Sequence, residues 1–258
     1  MKIAYYDQTF EGLLCVIFDA YKLKYFPEHI LATGDVPPLL TTFEHTVETA
    51  NGKYERVLTA LKKKLSKSAL NNLTKVWLSE VPEREMLLFR YICKVFDHQQ
   101  NIESNFADED VMAVLKLAKK VGCDMHFISM MVRFNKTADD VFFAPVAPTY
   151  NVLPLVLPHF KDRFSDQKWA IYDEKRGYGF YYDLEKIVEM TLSEADDFLV
   201  HHRLNEKYQD EDDKLITLMW QRYFKALTIK ERINLKQQRR AMPARFWAYL
   251  PEMQDRVN

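Results

Sequence analysis

The stretch from Lys230 to Glu252, KERINLKQQRRAMPARFWAYLPE, sets Lys230, Arg232, Lys236, Arg239, Arg240 and Arg245 against Glu231 and the terminal Glu252, with Phe246, Trp247 and Tyr249 directly after. Dense cations neutralise phosphates and flat rings stack on bases, so these are the residue types of a nucleic-acid surface. The same residues also suit a C-terminal clamp. On chemistry alone the clamp comes first, because aromatic side chains are commonly buried and basic faces usually only solvate. His201 and His202 follow Asp196 and Asp197 by about one helical turn, a spacing that suits a base with its orienting carboxylate or half of a metal site. Adjacent histidines point apart on a helix, however, and one packed plus one surface histidine is the plainer reading. His159 sits in LPHFKDRF just ahead of Lys161 and Arg163. It is either a phosphate contact or acid, or a helix histidine bonded to a nearby carbonyl. The string Asp173–Gly179, DEKRGYG, places Lys175 and Arg176 at a tight turn flanked by glycines. Turn geometry alone accounts for the glycines. The functional alternative has Arg176 and Tyr178 projecting from the sheet end toward a ligand.

Other chemistries leave no signature, since GxGxxG, P-loop, GxSxG and HExxH patterns are all missing. No cofactor is expected. Cys15, Cys93 and Cys123 are widely separated in apolar contexts, which gives neither a CxxC pair nor zinc-ligand spacing, so no metal is expected. They read as buried thiols in a reducing compartment. The chain has 258 residues, 48% hydrophobic and 14% aromatic, enough for one large domain or two small ones. A formal net charge of -1 excludes wholesale coating of a polyanion, so any nucleic-acid contact must come from local patches. The N-terminus carries no leader pattern and no segment has bilayer-spanning length, which makes a cytoplasmic protein without membrane contact the default.

These residues must be positioned by an α+β fold, mainly helical, with an antiparallel sheet built around a β-β-α-β-β unit in the C-terminal half. A strand over Lys2–Tyr6 leads into a helix that Asp7 or Thr9 caps, whose Phe10, Leu13, Leu14, Ile17, Phe18 and Tyr21 share one apolar face. Residues 30–49 read as irregular or short extended structure. Three or four packed helices are expected from Tyr54 to about Val121, the last with Asn105 as its cap. The Lys62–Lys64 run is read as an exposed helix face. After Gly122 the segments Met131–Phe134 and Val141–Val146 form a hairpin, Val152–Phe164 a helix interrupted at Pro158, and Trp169–Tyr172 with Gly179–Tyr182 a second hairpin. A helix from Ser193 to about Leu204 then carries both histidines, and Asp210–Asp213 opens another. The expected division is a mostly helical region over 1–125 and an α+β domain over 126–258, packed as one compact unit.

Four strings resemble a bacterial family assigned to DNA repair or DNA metabolism: YYDQTFEGLLCVIFDAY, FAPVAPTYNVLPLVLPHFKDRF, WAIYDEKRGYGFYYD and LTIKERINLKQQRRAMPARFWAYLPE. The last three resemble its C-terminal domain of unknown function, which also occurs fused to uracil-DNA-glycosylase-like domains. The resemblance implies a partnership with a radical-SAM protein that modifies or repairs DNA. Tyr150–Asn151 departs from the family, where a His-Asp or similar polar pair is expected before the Val-Leu-x-Leu helix.

The resulting expectation is a DNA-binding factor in which Lys161, Arg163, Arg176, Arg239, Arg240 and Arg245 contact phosphates while Tyr178 or Trp247 stacks. One alternative is a protein-interaction module without DNA contact, whose cationic tail docks an acidic partner. Another is a hydrolase using His159, His202 and a nearby carboxylate, which requires those side chains to share a pocket.

Overall fold

The computed structural model describes residues 1–193 and 195–256, with the side chains of Ala195, Asp196, Lys230 and Gln254–Arg256 outside the described set. The chain divides into two compact units, Met1–Gly122 and Cys123–Asn258. Both mix helix and sheet, and the α+β, mainly helical class holds.

In the first unit β1 (Lys2–Tyr6) is followed by α1 (Phe10–Leu23). Thr9 caps that helix, its hydroxyl oxygen accepting the Gly12 N–H at 2.9 Å. The short extended structure expected within residues 30–49 takes the form of two four-residue strands. β2 (His29–Ala32) and β3 (Phe43–Thr46) flank β1 on either side, both parallel to it. Their pairing is non-local, so no turn signal announces it. Tyr25, buried after α1, helps fix the strands by donating its hydroxyl to the Ile3 carbonyl at 2.7 Å. Four helices follow: α2 (Asn51–Lys64), α3 (Lys67–Trp77), α4 (Arg84–Asp97) and α5 (Glu109–Met131). Leu13, Leu14 and Ile17 of α1 meet Leu61, Leu73, Leu88 and Ile92 in a core with almost no solvent contact. Lys62, Lys63 and Lys64 form the expected exposed face, and Lys64 also donates to the carbonyls of Val95, Phe96 and His98 at the end of α4, where a cation complements the helix dipole.

The α5 cap is Asp108, not Asn105. Its Oδ1 accepts the N–H groups of Asp110 and Val111 at 2.9 and 3.1 Å. The helix also runs straight through Gly122, which shifts the first C-terminal strand. Met131 closes α5, and the hairpin expected from Met131–Phe134 is reduced to β4 (Asn135–Lys136) against β5 (Phe142–Val146).

α6 (Leu153–Arg163) accommodates Pro158 and returns the chain to β6 (Trp169–Asp173), which turns into β7 (Tyr178–Tyr182) and β8 (Ile187–Met190). The sheet order is β4-β5-β6-β7-β8. All its pairs are antiparallel except β5–β6, which is parallel because a helical crossover returns the chain to the end from which it left. The purely antiparallel expectation is corrected on that point. Gly179 is required by close approach, since a Cβ there would lie 2.4 Å from the Ile171 carbonyl oxygen.

The helix expected from Ser193 to Leu204 is cut short. α7 (Ala195–Phe198) ends after one turn, and β9 (Leu199–Val200) pairs with β10 (Arg203–Leu204) as a hairpin. His201 and His202 form its two-residue connection, with φ of 49° and 65°. Two successive left-handed residues are the backbone of a type I′ turn, which a helix cannot contain. α8 (Glu211–Leu227) follows, with Asp210 accepting the N–H groups of Asp212 and Asp213, and then α9 (Leu235–Ala241). Two 3₁₀ segments, Ala244–Tyr249 and Pro251–Arg256, complete the unit. Among the described residues no helix is long and apolar enough to cross a membrane.

Asp108 also receives two hydrogen bonds from Lys94, at 2.8 and 2.6 Å, and these hold its carboxyl below the ordinary carboxylate value. A depressed folded value contributes stability that is present above the unfolded pKa, about 3.9, and is lost as pH falls through the folded one. Asp108→Asn keeps a capping oxygen but removes this charge, so its stability curve is expected to flatten below about pH 4. Urea titrations of the two proteins at several acid pH values measure the difference.

Candidate functional site

The loop Ala147–Asn151, between β5 and α6, gathers the three C-terminal strings of the sequence. The β6–β7 turn reaches it first. Arg176 Nη1 pairs with Asp173 Oδ2 at 2.7 Å and donates to the Pro148 carbonyl at 3.3 Å, while Lys175 Nζ donates to the Thr149 carbonyl at 3.0 Å. The Tyr178 hydroxyl donates to Asn151 Oδ1. From the C-terminal 3₁₀ segment, Arg245 pairs with Asp124 of α5 at 2.5 Å and donates to the Thr149 hydroxyl. Asp124 accepts the Tyr150 N–H at 3.0 Å with its other oxygen.

This network puts Arg176, Arg245 and Tyr178 at one place, held by protein groups. The Asp173 side chain is 0% exposed and that of Asp124 2%. A carboxylate so enclosed requires a cation, and the two arginines supply one each. Burial pushes the Asp173 carboxyl up, and the Arg176 guanidinium pulls it back.

Beside the network, Glu174 joins residues that no sequence spacing connects. Its Oε2 lies 2.7 Å from His202 Nδ1 and accepts the Tyr249 hydroxyl at 2.8 Å. Burial, and then the bond to Glu174, raises the Tyr249 pKa far above the ordinary phenol value, so its hydroxyl remains a donor. A carboxylate on one imidazole nitrogen orients the ring and leaves the other nitrogen to exchange a proton or grip an acceptor. His202 and Tyr249 line a cavity of about 520 Å³ walled also by Arg203, Asn135, Leu218 and Pro251. Asn135 and Gln209 are held there by Asp213, at 3.0 and 2.6 Å.

The remaining expected residues lie elsewhere. His159 lines a second cavity of about 570 Å³ with His126, Ser129 and Arg163, so His159 and His202 do not share a pocket. Lys161 donates to the Glu185 carbonyl at 3.0 Å and lies over the Tyr182 ring, and Arg163 lies over Phe164. Asp196, the suggested orienter of the histidines, has its side chain outside the described residues. Asp197 instead binds Lys207 and the Tyr208 hydroxyl.

The tail divides in the same way. Phe246, Trp247 and Leu250 are buried and Trp247 donates to the Met242 carbonyl at 2.9 Å, which is the clamp. Arg232, Lys236, Arg239 and Arg240 are exposed, and among the described residues none of them has an ion-pair partner. Lys236, Arg239 and Arg240 fall on one face of α9 by their spacing. Arg232 lines an open cleft of about 470 Å³ between the end of α8 and α9. Among the described residues no group of three or more His, Cys, Asp or Glu is placed to hold a metal ion.

Sequence reading misses Asp124 and Glu174 as site residues, whereas Tyr249 stands in the C-terminal string and Arg203 directly follows the two histidines. Glu174 stood inside a string already singled out. Asp124 carries no local signal, because its partner Arg245 lies 121 residues away.

The fold and this convergence define a two-unit α+β protein whose C-terminal half is organised around a buried ionic network. The chain belongs to the DUF4130 family, a domain of unknown function, whose model matches residues 82–252. Searches of curated proteins and of solved structures give no match.

Replacing Arg176 by Ala leaves Asp173 buried without its cation and is expected to cost about 3–5 kcal/mol in urea unfolding. Because Asp173 is shifted upward, its uncompensated charge is felt as pH rises through the folded value. The loss is therefore larger near neutrality than near pH 4, where a protonated Asp173 needs no cation. An equal loss at both values would contradict the assignment.

Proposed function

We propose that this protein is a nucleic-acid-binding factor of DNA repair or DNA metabolism, acting beside a radical-SAM partner. The repair setting and the partner come from the resemblance of the four strings. The contact surface comes from one observation: among the described residues Arg232, Lys236, Arg239 and Arg240 are exposed without an ion pair, whereas Arg176 and Arg245 neutralise buried carboxylates. Solvated cations on a short helix release counterions from a phosphate backbone. Trp220 and Tyr223, partly exposed on the neighbouring α8 with ring centroids 5.9 Å apart, offer rings for base stacking. Phosphate contact thus falls to α9, and the arginines at Ala147–Asn151 act in positioning.

Anisotropy of a labelled single-stranded oligonucleotide, titrated at several salt concentrations, tests this reading. Binding is expected to weaken steeply with salt, and Arg239→Ala with Arg240→Ala to shallow the log–log slope by roughly 0.7 for each phosphate that is no longer neutralised. Salt-independent binding, or none at low ionic strength, would sink it.

A protein-docking reading without nucleic-acid contact is favoured by a separate feature. Leu215, Met219, Tyr223 and Leu227 recur every fourth residue along α8, and all are exposed together with Ile216. On that reading co-purification with the radical-SAM protein survives nuclease treatment and is abolished by Met219→Glu. Loss of the partner on nuclease treatment of the unmodified protein would remove this reading.

A further inference from the structure

The cavity beside Glu174, His202 and Tyr249 contains one side chain that the fold leaves unsatisfied. Arg203, the first residue of β10, is only partly exposed and lines the cavity, yet its Nε–H is buried with no acceptor. Among the described residues its guanidinium has neither an ion-pair partner nor a side-chain hydrogen bond. Every other described arginine of the C-terminal unit with a comparably sheltered side chain has a carboxylate: Arg176 has Asp173, and Arg133 has Glu252 at 2.9 Å. A half-sheltered guanidinium that no acceptor among the described residues engages is complementary to an anion that the cavity has room to admit.

The backbone around Arg203 points the same way. His201 and His202 both hold left-handed conformations that non-glycine residues seldom adopt, and this connection carries Arg203 and His202 to the same cavity. Glu174 and Tyr249 then fix His202. Lys214, at the start of α8, is another cation of the lining, though it also pairs with Glu211 at 2.7 Å. Glu206 is the one carboxylate of the lining.

We propose that this cavity binds a phosphate monoester, the terminal phosphate of a nucleotide, with Arg203 gripping its oxygens and His202 beside it. Three features select that ligand. The planar fork of a guanidinium matches two phosphate oxygens, and an imidazole adds a further donor for a group that carries up to two charges. A backbone diester continues on both sides and carries one charge, whereas a monoester is an end group that needs room on one side only and carries up to two. A volume of about 520 Å³ accommodates the attached nucleoside, and Leu218, Tyr249 and Pro251 give it an apolar wall. The phosphate has two possible sources, a free mononucleotide or the end of a nucleic-acid strand. The cavity site does not depend on the α9 surface.

Isothermal titration with thymidine 5′-monophosphate, thymidine and inorganic phosphate tests the proposal on the unmodified full chain. The monophosphate is expected to bind and thymidine to bind at least about tenfold more weakly, with inorganic phosphate competing. Arg203→Gln is expected to weaken the monophosphate by about tenfold or more, and Arg203→Lys to restore part of it. In a second arm, the same oligonucleotide with and without a 5′-phosphate separates the sources: a gain from the phosphate that Arg203→Gln abolishes assigns the strand end, and no gain assigns the free nucleotide. Arg203→Gln should leave binding of the unphosphorylated oligonucleotide and its salt slope unchanged, while the α9 double variant should do the reverse. Failure of the cavity site and failure of the α9 surface are thereby distinguishable. Equal affinity for thymidine and its monophosphate in the unmodified protein would overturn the proposal, whether or not the variants fold. So would competition by acetate as strong as that by phosphate, or a well-folded Arg203→Gln with unchanged affinity.

Discussion

Asp124 and Asp173 are both carboxylates withdrawn from water: Arg245 of the C-terminal 3₁₀ segment matches Asp124, and Arg176, three residues on in the same turn, matches Asp173. An unpaired charge at either place costs several kcal/mol, so the β6–β7 turn is obliged to fold Arg176 back onto Asp173 and the C-terminal 3₁₀ segment to meet α5 at Asp124. That requirement organises the C-terminal unit. Once Arg245 reaches Asp124, the following Phe246 and Trp247 enter the interior and Tyr249 arrives at Glu174. Once Arg176 is drawn to Asp173, Tyr178 reaches Asn151.

The network also sorts cations that look alike in composition. Arg176 and Arg245 are structural because a buried carboxylate is more demanding than any surface ligand. Arg232, Lys236, Arg239 and Arg240 have no such claim on them and stand in solvent. Arg203 is a third kind, sheltered and unmatched, and only this kind calls for a small anion inside the fold. Tyr150–Asn151, where related sequences suggested a polar His-Asp pair, serves here as part of the held loop: the Tyr150 N–H binds Asp124 and Asn151 accepts Tyr178.

Much of the local structure was legible in the residues. Thr9 and Asp210 cap helices because their oxygens satisfy otherwise unpaired N–H groups, and the apolar spacing of α1 predicts the face it buries. The β6–β7 hairpin follows from its glycines and alternating rings. Short extended structure was legible in residues 30–49, but the parallel pairing of β2 and β3 with β1 was not, because it joins segments many residues apart. His201 and His202 were misplaced on a helix for a related reason. Their neighbours have ordinary helical propensity, and the left-handed turn forms because Glu174 and the adjoining hairpin hold it.

The sequence by itself determined most of the helices, the Thr9 cap, the β6–β7 turn and the fact that cations and rings accumulate near the C-terminus. Those depend on interactions within a few residues, where spacing and side-chain type suffice. Tertiary structure alone decided which cations face water and which neutralise buried carboxylates, and it separated His159 from His202 into different cavities. It also brought Glu174, His202 and Tyr249 together and left Arg203 without a partner among the described residues. The physical reason is burial: whether a charge is matched, solvated or left waiting depends on what the rest of the chain packs around it, and no local pattern carries that information.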